Sequence, residues 1–285
     1  MSYLFPIVEG RAVRVRVEGD PAAPPVVLVH GIGRSLDDWS AQFPALRNRY
    51  RLIALDLPGF GYSQRRPEPA SLGALARGVL TTLDALDEHR PVHLVGNSLG
   101  GAVSMQSLLF APARVARLVL VNSAGFGPEV TYILRMLAVP GIGPMMLARP
   151  TRVGLAHAER ALYADPSFAD RTRVEHSLRC ARRPGAAQFM GEIGEALGTL
   201  RGGIRPEWRR ELLAAMSSQQ HPMLIVWGDR DKILPPRHFA AARRAFPNAA
   251  THMFSCTGHM PQTERADEFA TLVAEFLSGV RPATG

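Results

Sequence analysis

The sequence has 285 residues, of which 46% are hydrophobic and 20% charged, and its formal net charge is +8. This composition is typical of a folded globular protein and excludes a disordered or fibrous chain, and the length fits one α/β domain with an insertion. Arginine carries nearly all of the positive charge, because Lys232 is the only lysine. The arginines are scattered and never form a run longer than two, so we do not expect nucleic-acid binding.

Two cysteines, Cys180 and Cys256, are too few for a disulfide framework, and we expect both to be small buried residues. The first six residues lack the basic and apolar regions of a secretory signal. No apolar run approaches the 18 residues of a membrane span, and no spacing of histidine or cysteine suggests a metal site. We therefore expect a cytoplasmic protein without a membrane span, monomeric or homodimeric.

The chain opens with two short strand patterns over residues 4–18. Polar and apolar residues largely alternate from Arg11 to Val17, which predicts an antiparallel hairpin at a sheet edge with one face in water. After Pro24-Pro25 the pattern changes to unbroken apolar runs of strand length. Such runs are typical of parallel strands that are buried on both faces; they occupy residues 26–29, 52–55, 92–95, 118–121 and 223–227.

Helical patterns separate these runs. Ser71 is a candidate N-cap for an apolar stripe that continues to Leu86, and a second stripe from Phe269 to Leu277 ends before Gly279. Alternating strands and helices predict an α/β fold with a parallel sheet. Residues 126–216 break the alternation with helical pieces between prolines and glycines and no convincing strand. We predict a helical cap there, between core segments 1–125 and 217–285; a separate helical domain with no role at the site is the alternative.

The run at 92–95 ends in Gly96-Asn97-Ser98-Leu99-Gly100, and a helical pattern follows at once. This strand–turn–helix context predicts a nucleophile elbow, with the Ser98 hydroxyl held out at the edge of the sheet. Gly96 and Gly100 remove side chains that would collide in so sharp a turn. The N-terminus of the following helix favours an anion that forms beside the serine.

A serine hydroxyl becomes a good nucleophile only when a base takes its proton. His259 is the candidate, because it stands in a turn between the last apolar run and the last helix. The loop after residues 223–227 offers two carboxylates to orient it, and Asp231, further out in the turn, is better placed than Asp229. We expect Asp229 to pair with a neighbouring basic residue or to cap the loop. The chain order Ser, Asp, His is the one typical of this architecture.

Two backbone N–H groups are also needed to bind the oxyanion that forms during acyl transfer. One should be the amide of Leu99, which follows the nucleophile. The other should come from the loop at residues 30–33, where we assign Ile32 and keep Gly33 as the alternative. We expect His30 to be structural and to form hydrogen bonds within that loop.

Two nucleotide-binding motifs are suggested by the glycines of the sequence, but both are incomplete. Gly31-x-Gly33 with Asp56 at the end of the next strand begins like a dinucleotide-binding fingerprint, but Leu36 occupies the position of its third glycine. The glycines at 59 and 61 lack the Gly-Lys-Ser/Thr of a phosphate loop.

With these residues in hand, the sequence resembles α/β-hydrolase fold enzymes with a helical cap; the matching motifs are residues 30–33, 56–63, 96–101, 228–235 and 258–259. The resemblance implies a mostly parallel eight-stranded sheet flanked by helices, with the cap inserted after strand 6. It also implies serine acyl chemistry without a cofactor. A serine at 98 disfavours the haloalkane dehalogenase and epoxide hydrolase branches, which use an aspartate.

Within the serine branch, the elbow and residues 258–269 are similar to the meta-cleavage-product C–C hydrolases. Those enzymes carry a tryptophan directly after the histidine, where this chain has Met260. They also use a longer glycine-rich oxyanion loop and a cap arginine that grips the substrate. The position of that arginine corresponds roughly to His176 in this chain.

The sequence predicts a hydrolase of carboxylic esters with small-to-medium hydrophobic groups, acting through an acyl-enzyme. A C–C hydrolase of vinylogous diketones is the alternative, and a hydrolase-fold protein that binds a ligand without turnover is a third. Methionines that line a pocket can adapt to substrates of varied shape. The methionines of the cap are explained equally well as residues of the cap's own hydrophobic core. The expected pocket residues are Gly31, Asn97, Met136, Met145 and Met260.

Overall fold

The computed structural model describes residues 2–279. Its strands are β1 (Ile7–Val8), β2 (Arg11–Ala12), β3 (Val15–Glu18), β4 (Pro25–Val29), β5 (Arg51–Leu55), β6 (Val92–Asn97), β7 (Val115–Val121), β8 (Gly198–Thr199), β9 (Gly203–Ile204), β10 (Met223–Gly228) and β11 (Ala250–Phe254). Its α-helices are α1 (Gln42–Leu46), α2 (Leu72–Ala85), α3 (Leu99–Phe110), α4 (Tyr132–Leu137), α5 (Ile142–Leu147), α6 (Arg152–Ala161), α7 (Arg171–Ala181), α8 (Ala186–Leu197), α9 (Pro206–Met216), α10 (Arg237–Ala245), α11 (Pro261–Glu264) and α12 (Ala266–Leu277).

A central sheet organises the molecule, with strand order β11-β10-β7-β6-β4-β5-β3. Its neighbouring strands pair in parallel, except that β3 runs antiparallel to β5 at the edge. One face packs against α2 and α3, and the other packs against α1 and α12. The five apolar runs are confirmed as strands, and they are continuous because helices cover both faces of the sheet.

The predicted α/β fold is therefore confirmed, but the number of strands differs. In the described residues the central sheet has seven strands instead of eight, and the helical insertion follows the fifth of them. Over residues 2–279, the first strand pattern meets the sheet only at an isolated antiparallel bridge between Leu4 and Val15, while Ile7–Val8 folds back onto Arg11–Ala12 as a separate hairpin. The tight turn of this hairpin uses Glu9 and Gly10, both with positive φ.

The expectation that one face of the edge strand is exposed to solvent is wrong. The side chains of Arg14 and Arg16 are buried, at 4% and 3% exposure. Arg14 pairs with Asp37 at 2.7 Å, and the Arg16 guanidinium stacks over the ring of Phe43 at 3.6 Å. Arginine alternates with valine here because paired guanidinium groups, rather than water, cover that face.

Residues 126–216 contain α4 to α9, as the helical pattern predicts. They also contain the short antiparallel hairpin β8–β9, so the expectation of no strand in this segment is wrong. The hairpin is anchored by the amide of Ile204, which donates to the Pro128 carbonyl at 2.8 Å. Across residues 2–279, no helix combines the length and apolar character needed to cross a bilayer.

The predicted helix ends are found. The Ser71 side chain accepts a hydrogen bond from the amide of Ala74 and caps α2. After α12, Gly279 has a φ of +90°, a conformation that favours glycine.

Close packing of α3 on the sheet predicts a stability difference between two helical glycines. A Cβ on Gly100 would lie 2.2 Å from the Val29 carbonyl oxygen, whereas one on Gly73 would meet nothing nearer than 3.4 Å. We expect Gly100→Ala to lower the free energy of unfolding by about 3 kcal/mol through overpacking. We expect Gly73→Ala to raise it by about 0.5–1 kcal/mol. Urea unfolding measures both, and equal stability of the two variants would contradict the packing argument.

Candidate active site

Ser98 lies in the sharp turn between β6 and α3. Its backbone has φ +57° and ψ −120°, an uncommon conformation for a residue with a side chain. The Ser98 carbonyl accepts hydrogen bonds from the amides of Gly101 and Ala124, at 3.0 Å each, and these hold the turn. A Cβ on Gly31 would lie 3.1 Å from the Ser98 Cβ, so the loop after β4 passes directly beside the serine.

His259 and Asp231 form a buried pair above the same edge of the sheet. His259 Nδ1 lies 2.7 Å from Asp231 Oδ2, and the residues are 3% and 4% exposed. The other carboxylate oxygen accepts from the amides of Ile233 and Leu234, at 2.8 and 3.0 Å. Because Nδ1 donates to a carboxylate, Nε2 is left with a lone pair that can accept a proton.

The competing carboxylate, Asp229, accepts a hydrogen bond from the backbone instead. Its Oδ1 accepts from the amide of Thr257 at 3.1 Å and ties the loop after β10 to the loop after β11. Among the described contacts, no hydrogen bond joins Asp229 to His259. The structure therefore brings together the histidine and the aspartate that the sequence analysis preferred.

Sequence reasoning missed Asn122. Its Nδ2 donates to Asp231 Oδ2 at 2.6 Å and to the Gly258 carbonyl at 3.3 Å. The backbone of Asn122 has a φ of +43°, which asparagine tolerates better than most residues. The available signal is an asparagine directly after a buried strand, since Asn122 follows the apolar run at residues 118–121.

Ser98 and His259 both line one cavity, of about 580 Å³. Within the described residues no hydrogen bond joins the two side chains. Catalytic hydrogen bonds are often long in a ligand-free enzyme and shorten when the substrate binds.

The two expected oxyanion donors belong to residues next to the serine in the chain or next to Gly31, which adjoins it. Leu99 is the first residue of α3, so its amide has no acceptor within the helix. The amide of Ile32 likewise donates to no acceptor in residues 2–279, and Ile32 lines the cavity. In the same loop Gly33 has a φ of +68° and lies against Met190.

His30 fixes the base of this loop. Its Nδ1 lies 2.7 Å from the Gly31 carbonyl oxygen, and its Nε2 accepts from the amide of Leu57 at 2.9 Å. Burial lowers the pKa of His30 to about 4, because the charged imidazolium would lose its hydration there.

Three of the expected pocket residues, Gly31, Asn97 and Met260, line the cavity. The expectation for Met136 and Met145 is wrong, since neither lines it, and Met145 is 70% exposed. The short helices α4 and α5 turn leucines to the cavity instead. The larger apolar side chains from the helical segment that line it are Ile133, Leu134, Leu137, Leu147, Leu155, Leu162, Phe189 and Met190.

His176, at the position that corresponds roughly to a substrate-gripping arginine, does not line the cavity. Its Nε2 lies 2.8 Å from Ser35 Oγ and 3.3 Å from Asp37 Oδ2, so it connects α7 to the core. Burial lowers its pKa from the ordinary value. A substrate contact by this histidine is not available in this arrangement.

The depressed pKa of His30 predicts a loss of stability in acid. Between pH 6.5 and about 4, His30 is protonated in the unfolded chain but stays neutral in the folded protein. The free energy of unfolding therefore falls as the pH falls. His30→Gln keeps a side-chain acceptor but cannot titrate. We expect the free energy of unfolding of His30→Gln to fall less steeply with decreasing pH than that of the native protein. The two slopes should differ by up to about 1.4 kcal/mol per pH unit. Urea unfolding at pH 7, 6 and 5 checks this, and parallel curves for both proteins would contradict it.

Comparison with known proteins identifies the fold family. A family model described as the alpha/beta hydrolase fold matches residues 24–266. The chain is 35% identical over 272 residues to the dihydrolipoyllysine-residue acetyltransferase component of an acetoin cleaving system of Pseudomonas putida, covering 95% of this chain and 68% of the relative. It is 30% identical over 274 residues to the 2-hydroxymuconate semialdehyde hydrolase of Pseudomonas sp. strain CF600, covering 93% and 91%.

Solved structures show the same architecture. The 2-hydroxy-6-oxo-6-phenylhexa-2,4-dienoate hydrolase of Rhodococcus sp. strain RHA1 superposes with a TM-score of 0.81 at 24% identity, over 97% of this chain and 99% of that chain. This likeness concerns the fold. With the family model covering most of the sequence, the chain belongs to the α/β-hydrolase fold family.

Proposed function

We propose that the protein is a serine hydrolase that cleaves carboxylic esters of small-to-medium hydrophobic acyl or alkyl groups. The observation that carries the proposal is the buried hydrogen bond between Asp231 and His259. His259 also lines the cavity that Ser98 lines. A base, its orienting acid and a nucleophile on a strained turn form the arrangement required for acyl transfer.

In the proposed reaction Ser98 Oγ attacks the ester carbonyl while His259 Nε2 takes its proton. The amides of Ile32 and Leu99 donate to the oxyanion as it forms. His259 then gives the proton to the leaving alcohol, and the acyl group remains on the serine. A water, activated by the same imidazole, hydrolyses this acyl-enzyme, and Asp231 stabilises the imidazolium in both halves.

The lining of the cavity supports hydrophobic acyl groups. Leucines, one phenylalanine and one methionine from the helical segment line the cavity that Ser98 also lines, and its volume fits a small or medium ester.

A second candidate, C–C hydrolysis, is favoured by one specific observation. Two relatives that are 30% and 31% identical over most of their length are named as hydrolases of a muconate semialdehyde and of a heptadienoate. Met260 at the position of a tryptophan, and the engagement of His176 with Ser35 and Asp37, favour the ester instead.

Substitution of the nucleophile tests the proposal directly. We expect Ser98→Ala to lower the turnover of p-nitrophenyl butyrate by at least about 10³-fold, because the acyl-enzyme cannot form. Ser217→Ala, an exposed serine, is the matched control and should keep full activity. A fluorophosphonate probe should label the native protein and Ser217→Ala but not Ser98→Ala. Full activity of Ser98→Ala would end the proposal, and absence of labelling in folded native protein would favour a ligand-binding role.

Parallel assays separate the two chemistries. The native protein should hydrolyse p-nitrophenyl butyrate faster than a ring-cleavage dienoate at equal concentration. Turnover of the dienoate with negligible ester cleavage would replace the ester proposal by the C–C hydrolase.

Asn122 gives a further prediction, as a positioning residue that acts through Asp231. Asn122→Leu removes the 2.6 Å hydrogen bond to the carboxylate, and we expect kcat for p-nitrophenyl butyrate to fall about 10-fold, or roughly 1.4 kcal/mol. KM should change less than about 2-fold, because the ester does not touch this residue. Asp231→Asn should cost about 10³–10⁴-fold in kcat. Asn248→Leu, an exposed asparagine, is the control; an unchanged kcat in Asn122→Leu would contradict the positioning role.

A further inference from the structure

Three residues directly after α6 pack against the loop that carries His259; we call residues 162–164 the α6 tail. The amide of His259 donates to the Leu162 carbonyl at 2.7 Å. A Cβ on Gly258 would lie 2.6 Å from both the Ala164 nitrogen and the Leu162 carbonyl oxygen, so the two chains run in contact with no room for a side chain. The backbone of the proposed base therefore rests on the α6 tail.

Glu264, the last residue of α11, joins these two chains through its carboxylate. Its Oε1 accepts from the amide of Gly258 at 2.8 Å, and its Oε2 accepts from the amide of Ala164 at 2.7 Å. Throughout residues 2–279 no ion pair involves Glu264, so backbone amides hold this carboxylate. Hydrogen bonds to an ionised carboxylate are stronger than those between neutral groups. Each oxygen of Glu264 thus fixes one of the two chains.

The remaining polar groups of the histidine backbone are held from the sheet. Asn97 Nδ2 donates to the His259 carbonyl at 3.1 Å, and Asn122 Nδ2 donates to the Gly258 carbonyl at 3.3 Å. Every backbone donor and acceptor of these two loop residues therefore has a partner. The sheet fixes the two carbonyls, whereas Glu264 and the α6 tail fix the two amides.

The α6 tail is itself buried in the protein and forms part of the cavity wall. Tyr163 is 0% exposed, and its ring lies 5.8 Å from that of Phe168 between centroids. Leu162 lines the cavity that Ser98 also lines. Glu264 therefore ties the histidine loop to a buried part of the wall that surrounds the substrate.

We infer that Glu264 is a positioning residue for His259, because its carboxylate holds the histidine loop against the α6 tail and so sets the place of the imidazole relative to Ser98. Glu264 does not line the cavity, so it acts through the histidine and not on the ester. A catalytic group displaced by about 1 Å can lose about 10²-fold in rate. The inference rests on the proposed ester hydrolysis and adds a residue to its machinery.

The test measures kcat for p-nitrophenyl butyrate in Glu264 variants, with His259 present and in a His259→Ala background. With His259 present, we expect kcat to fall about 10²-fold in Glu264→Ala, which loses both hydrogen bonds. Glu264→Gln keeps one acceptor oxygen and should lose about 10-fold. In the His259→Ala background, Glu264→Gln should change the residual kcat less than about 2-fold, because no imidazole is left to position.

Glu268→Gln is the matched control, because Glu268 is exposed and pairs with Arg265; it should keep the native kcat. Circular dichroism shows whether each variant is folded, and Glu264→Gln carries the comparison if Glu264→Ala is not. A native kcat in folded Glu264→Gln, or an equal loss with and without His259, overturns the positioning role and leaves ester hydrolysis standing. Absence of turnover by the native enzyme overturns the proposed function, and the positioning role with it.

Discussion

The hydrogen bond between His259 and Asp231 depends on the convergence of several loops at one edge of a parallel sheet. In such a sheet the carboxyl ends of all strands lie on the same side, so the loops after β6, β7, β10 and β11 meet there. These loops supply Ser98, Asn122, Asp231 and His259. Each of the four is buried, which removes competing water and strengthens every electrostatic contact among them.

Close backbone packing makes this convergence possible. α3 lies so near β4 that a methyl group on Gly100 would overlap the strand backbone, and the loop after β4 passes Ser98 at a Cβ distance of 3.1 Å from Gly31. Ile32, the next residue of that loop, lines the same cavity as Ser98. The strain at Ser98, with its positive φ, is offset by the hydrogen bonds of its carbonyl to the amides of Gly101 and Ala124.

Arginine has two different roles in this chain. Arg14 is buried against Asp37 and Asp56, and the charges of the three side chains form one internal network. Asp56 is so deeply buried that its pKa is raised to about 6, although Arg14 and two backbone amides act against the shift. Arg183 lines the cavity and is held by carbonyl oxygens alone. The same residue type thus forms buried ion pairs in one place and is held by neutral carbonyl acceptors in the other.

The sequence alone determined the α/β-hydrolase fold, the elbow at Ser98 and the choice of Asp231 and His259, because apolar runs, glycine spacing and chain order are local signals. It did not determine the burial of Arg14 and Arg16, since alternation looks the same whether water or a paired acid covers the polar face. Nor could it separate Met145, which faces solvent, from Leu147, which faces the cavity, because short cap helices take their orientation from the core beneath them. The contact of Asn122 with Asp231 joins residues 109 positions apart, and only the packed sheet decided it.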